Sequence, residues 1–305
     1  MVYSPLVSHS IIYFLHLFCS MTIICRYGEI FLKGKNRSEF ERVLVRNVRL
    51  FMEKHRVKGK VHRLRNRILI DSDACCDFLQ FVFGIVSFSP SVCVDAALPD
   101  ISAAALSLLE KCSFMTFAVA GQRLTKDAPF SSRDINIFVG DVVCTTFGVR
   151  VNLEHPDVCV GVEIIGTHAY VFVDTTSGPG GLPVGVSGRV AVSFDRPEAE
   201  AAALLMMKRG CDVVGLGVHP PELSMFSHYL TAPFPFYPVF GLSDACSWCV
   251  YNSIPLALGV HELDNISLNS DFSIPLFYPL IGMGMQEIEN ILLPRPIQSP
   301  EKTPP

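Results

Sequence analysis

Three groups of residues in this chain have the types and spacing for chemistry. The first is Asp195-Arg196-Pro197-Glu198-Ala199-Glu200, set between the apolar run Val190 to Phe194 and the helix-like Ala201 to Arg209. A strand that turns into a helix presents N-terminal amides, which together with the helix dipole favour an anion such as a nucleotide phosphate. This turn has no glycine to admit a pyrophosphate to the backbone, and Pro197 removes an amide donor. The carboxylates at 195, 198 and 200 oppose phosphate, each close like-charge pair costing about 1–4 kcal/mol at a dielectric of about 20. Arg196 offsets only part of that. As structure, the segment predicts Asp195 as N-cap, Pro197 in the first helical turn and early acids that suit the dipole. The second group, Cys246-Ser247-Trp248-Cys249, has the spacing of a metal, cluster or redox pair. No cysteine follows Cys249, so the pair lacks the ligand count an iron-sulfur cluster needs. Inert thiols are the preferred reading, with a cluster as the alternative.

The third group is cationic. Residues 21–74 hold 14 of the 25 Lys and Arg against 6 acids, while the rest of the chain is acidic. Such a face is the footprint of a polyanion partner, since each neutralised phosphate releases counterions. A solvated charged surface is the plainer alternative. Arg26 to Arg37 reads R-Y-G-E-I-F-L-K-G-K-N-R, a loop in which Lys33, Lys35 and two glycines allow close backbone approach to phosphate. A helix is predicted from Asn36 onward, with Ser38 and Glu41 in capping-box spacing; Phe40, Val43, Leu44, Val48 and Phe51 form its apolar stripe, and Arg42, Arg46 and Arg49 lie away from it. Lys58 to Ile70 alternates as a strand, with Arg63, Arg65 and Arg67 on one face. A turn at Arg65-Asn66 would split that stripe.

The elements that must position these groups form a mixed α/β chain of two or three units. With 305 residues, half of them apolar, and a net charge of -4, it can bury more than one core. The pattern predicts a strand over Thr22–Tyr27, helices over 73–84, 101–112 and 131–143, a strand over 114–120, and a hairpin of 158–165 with 169–173 around Gly166-Thr167. Ser131, Ser132 and Arg133 open the third of those helices, where a cation and backbone amides can meet phosphate, although a capping serine has the same signature. Gly178 to Gly185 reads as an irregular hinge. Arg189–Asp195, Pro197–Gly210 and Asp212–Val218 then read as strand, helix and strand of a parallel sheet. Eleven cysteines, most of them in apolar stretches, suit a reducing cytoplasmic setting. Residues 1–20 carry no charged side chain. Their apolar run lacks a basic n-region and is too short to span a bilayer, so they read as a non-native or disordered extension ahead of a start at Met21, with no membrane role.

The loop from Arg26 to Arg37, the arginine-rich strand and Val82-Phe83-Gly84-Ile85-Val86-Ser87-Phe88-Ser89-Pro90 together resemble the tRNA 4-thiouridine sulfurtransferase family, which also serves thiamine biosynthesis. The likeness runs in order from Ile23 to Ile291. It implies a ferredoxin-like domain (21–73), a THUMP domain (74–177), a Gly/Pro linker (178–188), a shortened PP-loop-like parallel α/β domain (189–292) and a disordered tail (293–305). It further implies that the front modules hold the acceptor end of a tRNA, with Arg26, Lys33, Lys35, Arg37, Arg63, Arg65, Arg67, Arg123, Lys126 and Arg133 as RNA-binding residues. Phe117 to Lys126 stands where the family has F-A-V-R-A-R-R-x-x-K; Arg123 and Lys126 remain, so a weaker THUMP contact is expected.

Leu205-Met206-Met207-Lys208-Arg209-Gly210-Cys211 matches the end of the family's loop-following helix. Counting back from it places Phe194, Asp195, Arg196, Pro197, Glu198 and Ala199 on the ATP-binding S-G-G-x-D-S motif. The resemblance to archaeal-type members is what suggests a cluster on Cys246 and Cys249. The family's later G-E-x-x-G-Q-V-A-S-Q segment is reduced to Gly259 to Asn265, and no cysteine near the C-terminus is left to receive sulfur. The expectation is a tRNA-binding protein of the thiouridine pathway that does not itself adenylate, needs no cofactor, and relies on a separate sulfur-transfer or PP-loop subunit. The alternative is an active sulfurtransferase using ATP and Mg.

Overall fold

The computed structural model describes residues 21–64, 66–72, 74–125, 129–223, 225–260, 262 and 273–293. The expected extension, Arg65, Lys126, the Pro-rich tail and the side chains of Lys33 and Lys35 lie outside that description.

The front module is built from β1 (Met21–Tyr27), α1 (Arg37–Lys54), β2 (Gly59–Leu64), β3 (Arg67–Ser72) and the first half of β4 (Ile85–Asp95). Leu44, Val45, Val48, Phe51 and Met52 recur on one side of α1 and bury against Ile23, Cys25, Ile68 and Ile70 of the sheet, while Arg42, Arg46 and Arg49 face solvent. The helix begins at Arg37 with Asn36 at the cap position, so Ser38 and Glu41 form no capping box. Glu41 is buried instead, accepting from the Tyr27 hydroxyl at 2.6 Å and from Arg37 Nε at 2.7 Å. The helix expected over 73–84 is only a 3-10 turn at Asp77–Phe81.

The middle module adds α2 (Leu98–Leu109), β5 (Thr116–Arg123), α3 (Ser132–Phe147), β6 (Arg150–Val151), β7 (Val158–Ile165), β8 (His168–Phe172) and β9 (Thr176–Ser177). β4 joins the two modules: its first half pairs antiparallel with β1 and its second half with β8. The result is one nine-stranded sheet ordered β2-β3-β1-β4-β8-β7-β5-β6, with β9 beside β4. α2 and α3 cover one face of its second half, where Ile101, Ala105, Leu109, Val139 and Val143 meet Phe117, Val160, Val162 and Ile164.

The third module is a parallel sheet of β10 (Arg189–Ser193), β11 (Asp212–Gly217), β12 (Phe236–Pro238), β13 (Leu256–Leu258) and β14 (Leu276–Phe277), ordered β12-β11-β10-β13-β14. α4 (Ala199–Lys208) and α6 (Met285–Leu292) pack on one face, and α5 (Gly241–Asn252) on the other. The chain leaves β10 toward β11 and returns on its other side as β13, so the topological switch point lies between β10 and β13. In open α/β sheets that crevice is where ligands sit.

Residues 178–188 are no free hinge. Gly178 N and Gly180 N donate to Val86 O and Ile85 O on one side, and Leu182 N, Gly185 N and Ser187 N to Lys208 O and Gly210 O on the other, all at 2.8–3.0 Å. Lys54 Nζ donates to Ser227 O and Leu230 O, adding a direct tie between α1 and the third module. Among the described residues, no helix is long and apolar enough to cross a membrane.

Candidate nucleic-acid surface and nucleotide loop

The expected arginine stripe is split. Leu64 pairs with Arg67, so the chain reverses between them, with Asn66 at φ 66°. Paired residues share a face and successive ones alternate, so Arg63 and Arg67 point to opposite faces. Arg63 stays exposed on the α1 side, donating to the Ser38 hydroxyl at 3.3 Å and lying 3.8 Å from Glu41. Arg67 is 9% exposed and its Nε donates to Glu163 Oε2 at 2.5 Å.

Arg26 shares that carboxylate, donating Nε to Glu163 Oε1 at 2.5 Å and Nη1 to Ser89 Oγ at 3.1 Å, with its guanidinium 4.6 Å above the Phe172 ring. Glu163, 3% exposed, is thus the counterion of two arginines from the front module. Sequence reasoning missed it; a lone acid within the apolar run Val158 to Ile165 was the available signal. Arg26 and Arg67 therefore hold the two modules together rather than facing solvent. Arg37 is also engaged, by Glu41, by the Tyr27 hydroxyl and by Asn66 Oδ1. These bonds tie Tyr27 and Asn66 to the start of α1.

In the middle module, Arg123 is half-buried and its Nη1 donates to Phe130 O at 2.7 Å. Arg133 is exposed in the first turn of α3. Ser131 caps that helix: its hydroxyl accepts from Asp134 N, and Asp134 accepts from Ser131 N at 2.7 Å. Those hydrogen bonds hold the Asp134 carboxyl below the usual carboxylate range. Of the expected RNA contacts, Arg63 and Arg133 present exposed side chains.

At the switch point, helix α4 starts at Ala199 with Glu198 as its cap residue and no side-chain capping bond. Asp195 is not the cap residue. Its Oδ2 accepts from the Ser193 hydroxyl at 2.5 Å, and Pro197 precedes the helix rather than entering its first turn. The reason is local: Ala199 N donates to Arg196 O at 3.2 Å, closing a turn that delays the helix. Gly259, just beyond β13, packs so closely that a Cβ there would lie 3.1 Å from Ala199 N. Glu198 Oε2 is buried without a hydrogen-bond partner among the described residues, and Glu200 is 8% exposed. The helix N-terminus therefore meets carboxylates and a neighbouring loop backbone.

Cys246 and Cys249 sit on α5 within an apolar cluster of Ala191, Val214, Leu216, Leu256 and Leu258. Burial pushes both thiols up, Cys249 to about 11 with help from its neighbour Cys246. Such thiols stay protonated and unreactive at neutral pH. Among the described residues, no group of three or more His, Cys, Asp or Glu could hold a metal ion.

A ferredoxin-like module thus shares a strand with a mixed α/β module, ahead of a parallel sheet. Residues 22–89 match the ThiI ferredoxin-like domain and residues 95–174 the THUMP domain. The chain is homologous to proteins named probable tRNA sulfurtransferase. It is 33% identical to the one from Methanocaldococcus jannaschii over 66% of this chain and 57% of that protein. It is 36% identical to the Brevibacillus brevis protein over 65% and 51%. The chain thus spans about half the length of these curated relatives. Among solved structures, PH1313 from Pyrococcus horikoshii superposes with a TM-score of 0.77 at 26% identity, covering 89% of this chain and 98% of that one. The fold recurs in a 4-thiouridine synthetase solved with RNA and bound ATP, with a TM-score of 0.70 at 24% identity over 89% of this chain and 84% of that one.

Proposed function

We propose that this chain binds the acceptor end of tRNA through its front and middle modules and serves tRNA 4-thiouridine formation without adenylating the tRNA itself. The observation that carries the first half is the ferredoxin-like module locked to a THUMP module by β4 and by the Arg26-Glu163-Arg67 clamp. A rigid pair of modules presents Arg63 and Arg133 at fixed spacing, which suits a rigid acceptor stem. The homologues named tRNA sulfurtransferase and the solved RNA complex supply the class of ligand.

The second half rests on the switch-point loop. Where a nucleotide phosphate would need free amides, Ala199 N donates to Arg196 O, Gly259 crowds it, and Asp195 and Glu198 bring negative charge. On this reading a pyrophosphate would find neither free amides nor room at the turn. Adenylation and sulfur delivery fall to a separate PP-loop or sulfur-transfer subunit. The ten free cysteines among the described residues support a reducing compartment, the cytoplasm.

Sequencing of RNA crosslinked to the protein in cells tests the reading, together with thiouridine measured in cells lacking it. Enrichment of tRNA acceptor ends and loss of thiouridine are expected. Crosslinks without tRNA enrichment would refute it.

A further inference from the structure

Much of the cationic front is internally engaged. Arg26 and Arg67 pair with Glu163, Arg37 with Glu41, and Arg42 with Glu39 at 2.6 Å. Three of the remaining cations converge elsewhere. Arg49 from α1, Lys58 just ahead of β2 and Lys60 near its start line an open groove of ≈ 690 Å³, with Met52, Val57 and Val61 among its other walls. All three cations are exposed, and none makes an ion pair among the described residues. Glu53 is the only acid lining the groove, and His62 at its end is turned to Asp71, 3.0 Å from its carboxylate. β2 is the outer strand of the nine-stranded sheet, so among the described residues no further strand covers this side.

We infer that this groove is a second RNA contact, a track for the phosphodiester backbone along the outer edge of the front module, separate from Arg63 at the hairpin end of β2. The inference rests on the tRNA-binding reading above. Three unpaired cations around a wide trough suit a polyanion that trades condensed counterions for fixed charges. A small ligand would need an enclosing pocket, and this groove is open. Because Arg49 and Lys60 reach solvent from a helix and a paired strand, with Lys58 directly ahead of that strand, the backbone under the track is preformed and costs little ordering on binding.

The test uses the full chain and a fluorescently labelled tRNA transcript titrated over a series of KCl concentrations. Arg49→Gln/Lys58→Gln/Lys60→Gln is expected to weaken binding roughly 10- to 100-fold at low salt. It is also expected to lower the slope of log affinity against log salt by about 2–3, at roughly 0.7–0.9 per lost phosphate contact. Arg49→Lys/Lys58→Arg/Lys60→Arg is expected to restore the slope. Circular dichroism melting of each variant separates a folding defect from a lost contact; if the Gln variant melts early, the single Lys60→Gln variant takes its place, with a slope loss of about 0.7–0.9. Wild-type slope and affinity in a folded Gln variant would overturn the track while leaving the tRNA reading intact, and would assign the groove to another partner such as an acidic polypeptide. Absence of tRNA binding by the wild-type chain would overturn both.

Discussion

Arg67 donates its Nε–H to Glu163 Oε2 at 2.5 Å, fastening the front hairpin to β7 of the middle module. Arg26 occupies the other carboxylate oxygen at the same distance. Removing the carboxylate leaves two largely buried guanidiniums facing each other, which is far costlier than losing an exposed pair. Glu163→Gln is therefore expected to destabilise the protein by about 3–5 kcal/mol, read from the urea midpoint. A variant with an unchanged midpoint would show that the clamp carries no stability.

A backbone prediction concerns the strap between modules. Gly181 has φ 72°, and a Cβ there would lie 2.3 Å from Lys208 O; its neighbour Gly180 has φ 65° and open space around it. Gly180→Ala should cost about 1–2 kcal/mol for the left-handed backbone alone. Gly181→Ala should cost about 1–3 kcal/mol more because the strap must move off α4. Equal melting temperatures for the two variants would contradict the close approach.

Much of the architecture was legible in the sequence. The β7–β8 hairpin announced itself through apolar runs on either side of Gly166-Thr167, and its pairing of Ile165 with His168 leaves those two residues as the turn. The α1 stripe was legible for the same reason, since Leu44, Val48 and Phe51 repeat at helical spacing and share one core. The reversal between Leu64 and Arg67 was not read as the leading case because Arg-Asn-Arg carries no glycine, although asparagine tolerates the φ of 66° that Asn66 adopts. Nor could Glu163 be matched to Arg26 and Arg67, which lie 137 and 96 residues away. Such partners leave no local periodicity. At the switch point, the strand, turn and helix were read correctly in order, but the cap was misplaced because Asp195 has a nearer partner in Ser193.

Acid sensitivity should reside partly in the middle module. Asp157 Oδ2 accepts from Met115 N at 3.0 Å, from Thr116 N at 2.8 Å and from the Thr116 hydroxyl at 3.0 Å. These bonds hold its carboxyl below the usual carboxylate range. Because the folded value is the lower one, the stabilisation is complete above the unfolded-state value and disappears as pH falls through the folded-state value. The difference in urea midpoint between wild type and Asp157→Asn should therefore shrink as pH is lowered from about 6 to about 2. A difference that stays constant over that range would contradict the assignment.

The thiol pair gives a chemical prediction. With Cys246 and Cys249 buried and Cys249 pushed up to about 11, iodoacetamide near neutral pH should label both far more slowly in the native protein than in urea. Anaerobic reconstitution with iron and sulfide should leave no cluster absorbance. Rapid native labelling, or a stable cluster, would show that α5 opens to expose them.

The measurement that bears most directly on the account is ATP–pyrophosphate exchange by the full chain at a tRNA concentration shown by titration to saturate it. With Gly259 against Ala199 N and carboxylates at 195 and 198, tRNA should be bound and exchange should equal that of buffer. Exchange above that background, abolished by altering Glu198 or Arg196, would mean that the loop holds ATP and that the chain is itself the adenylating enzyme.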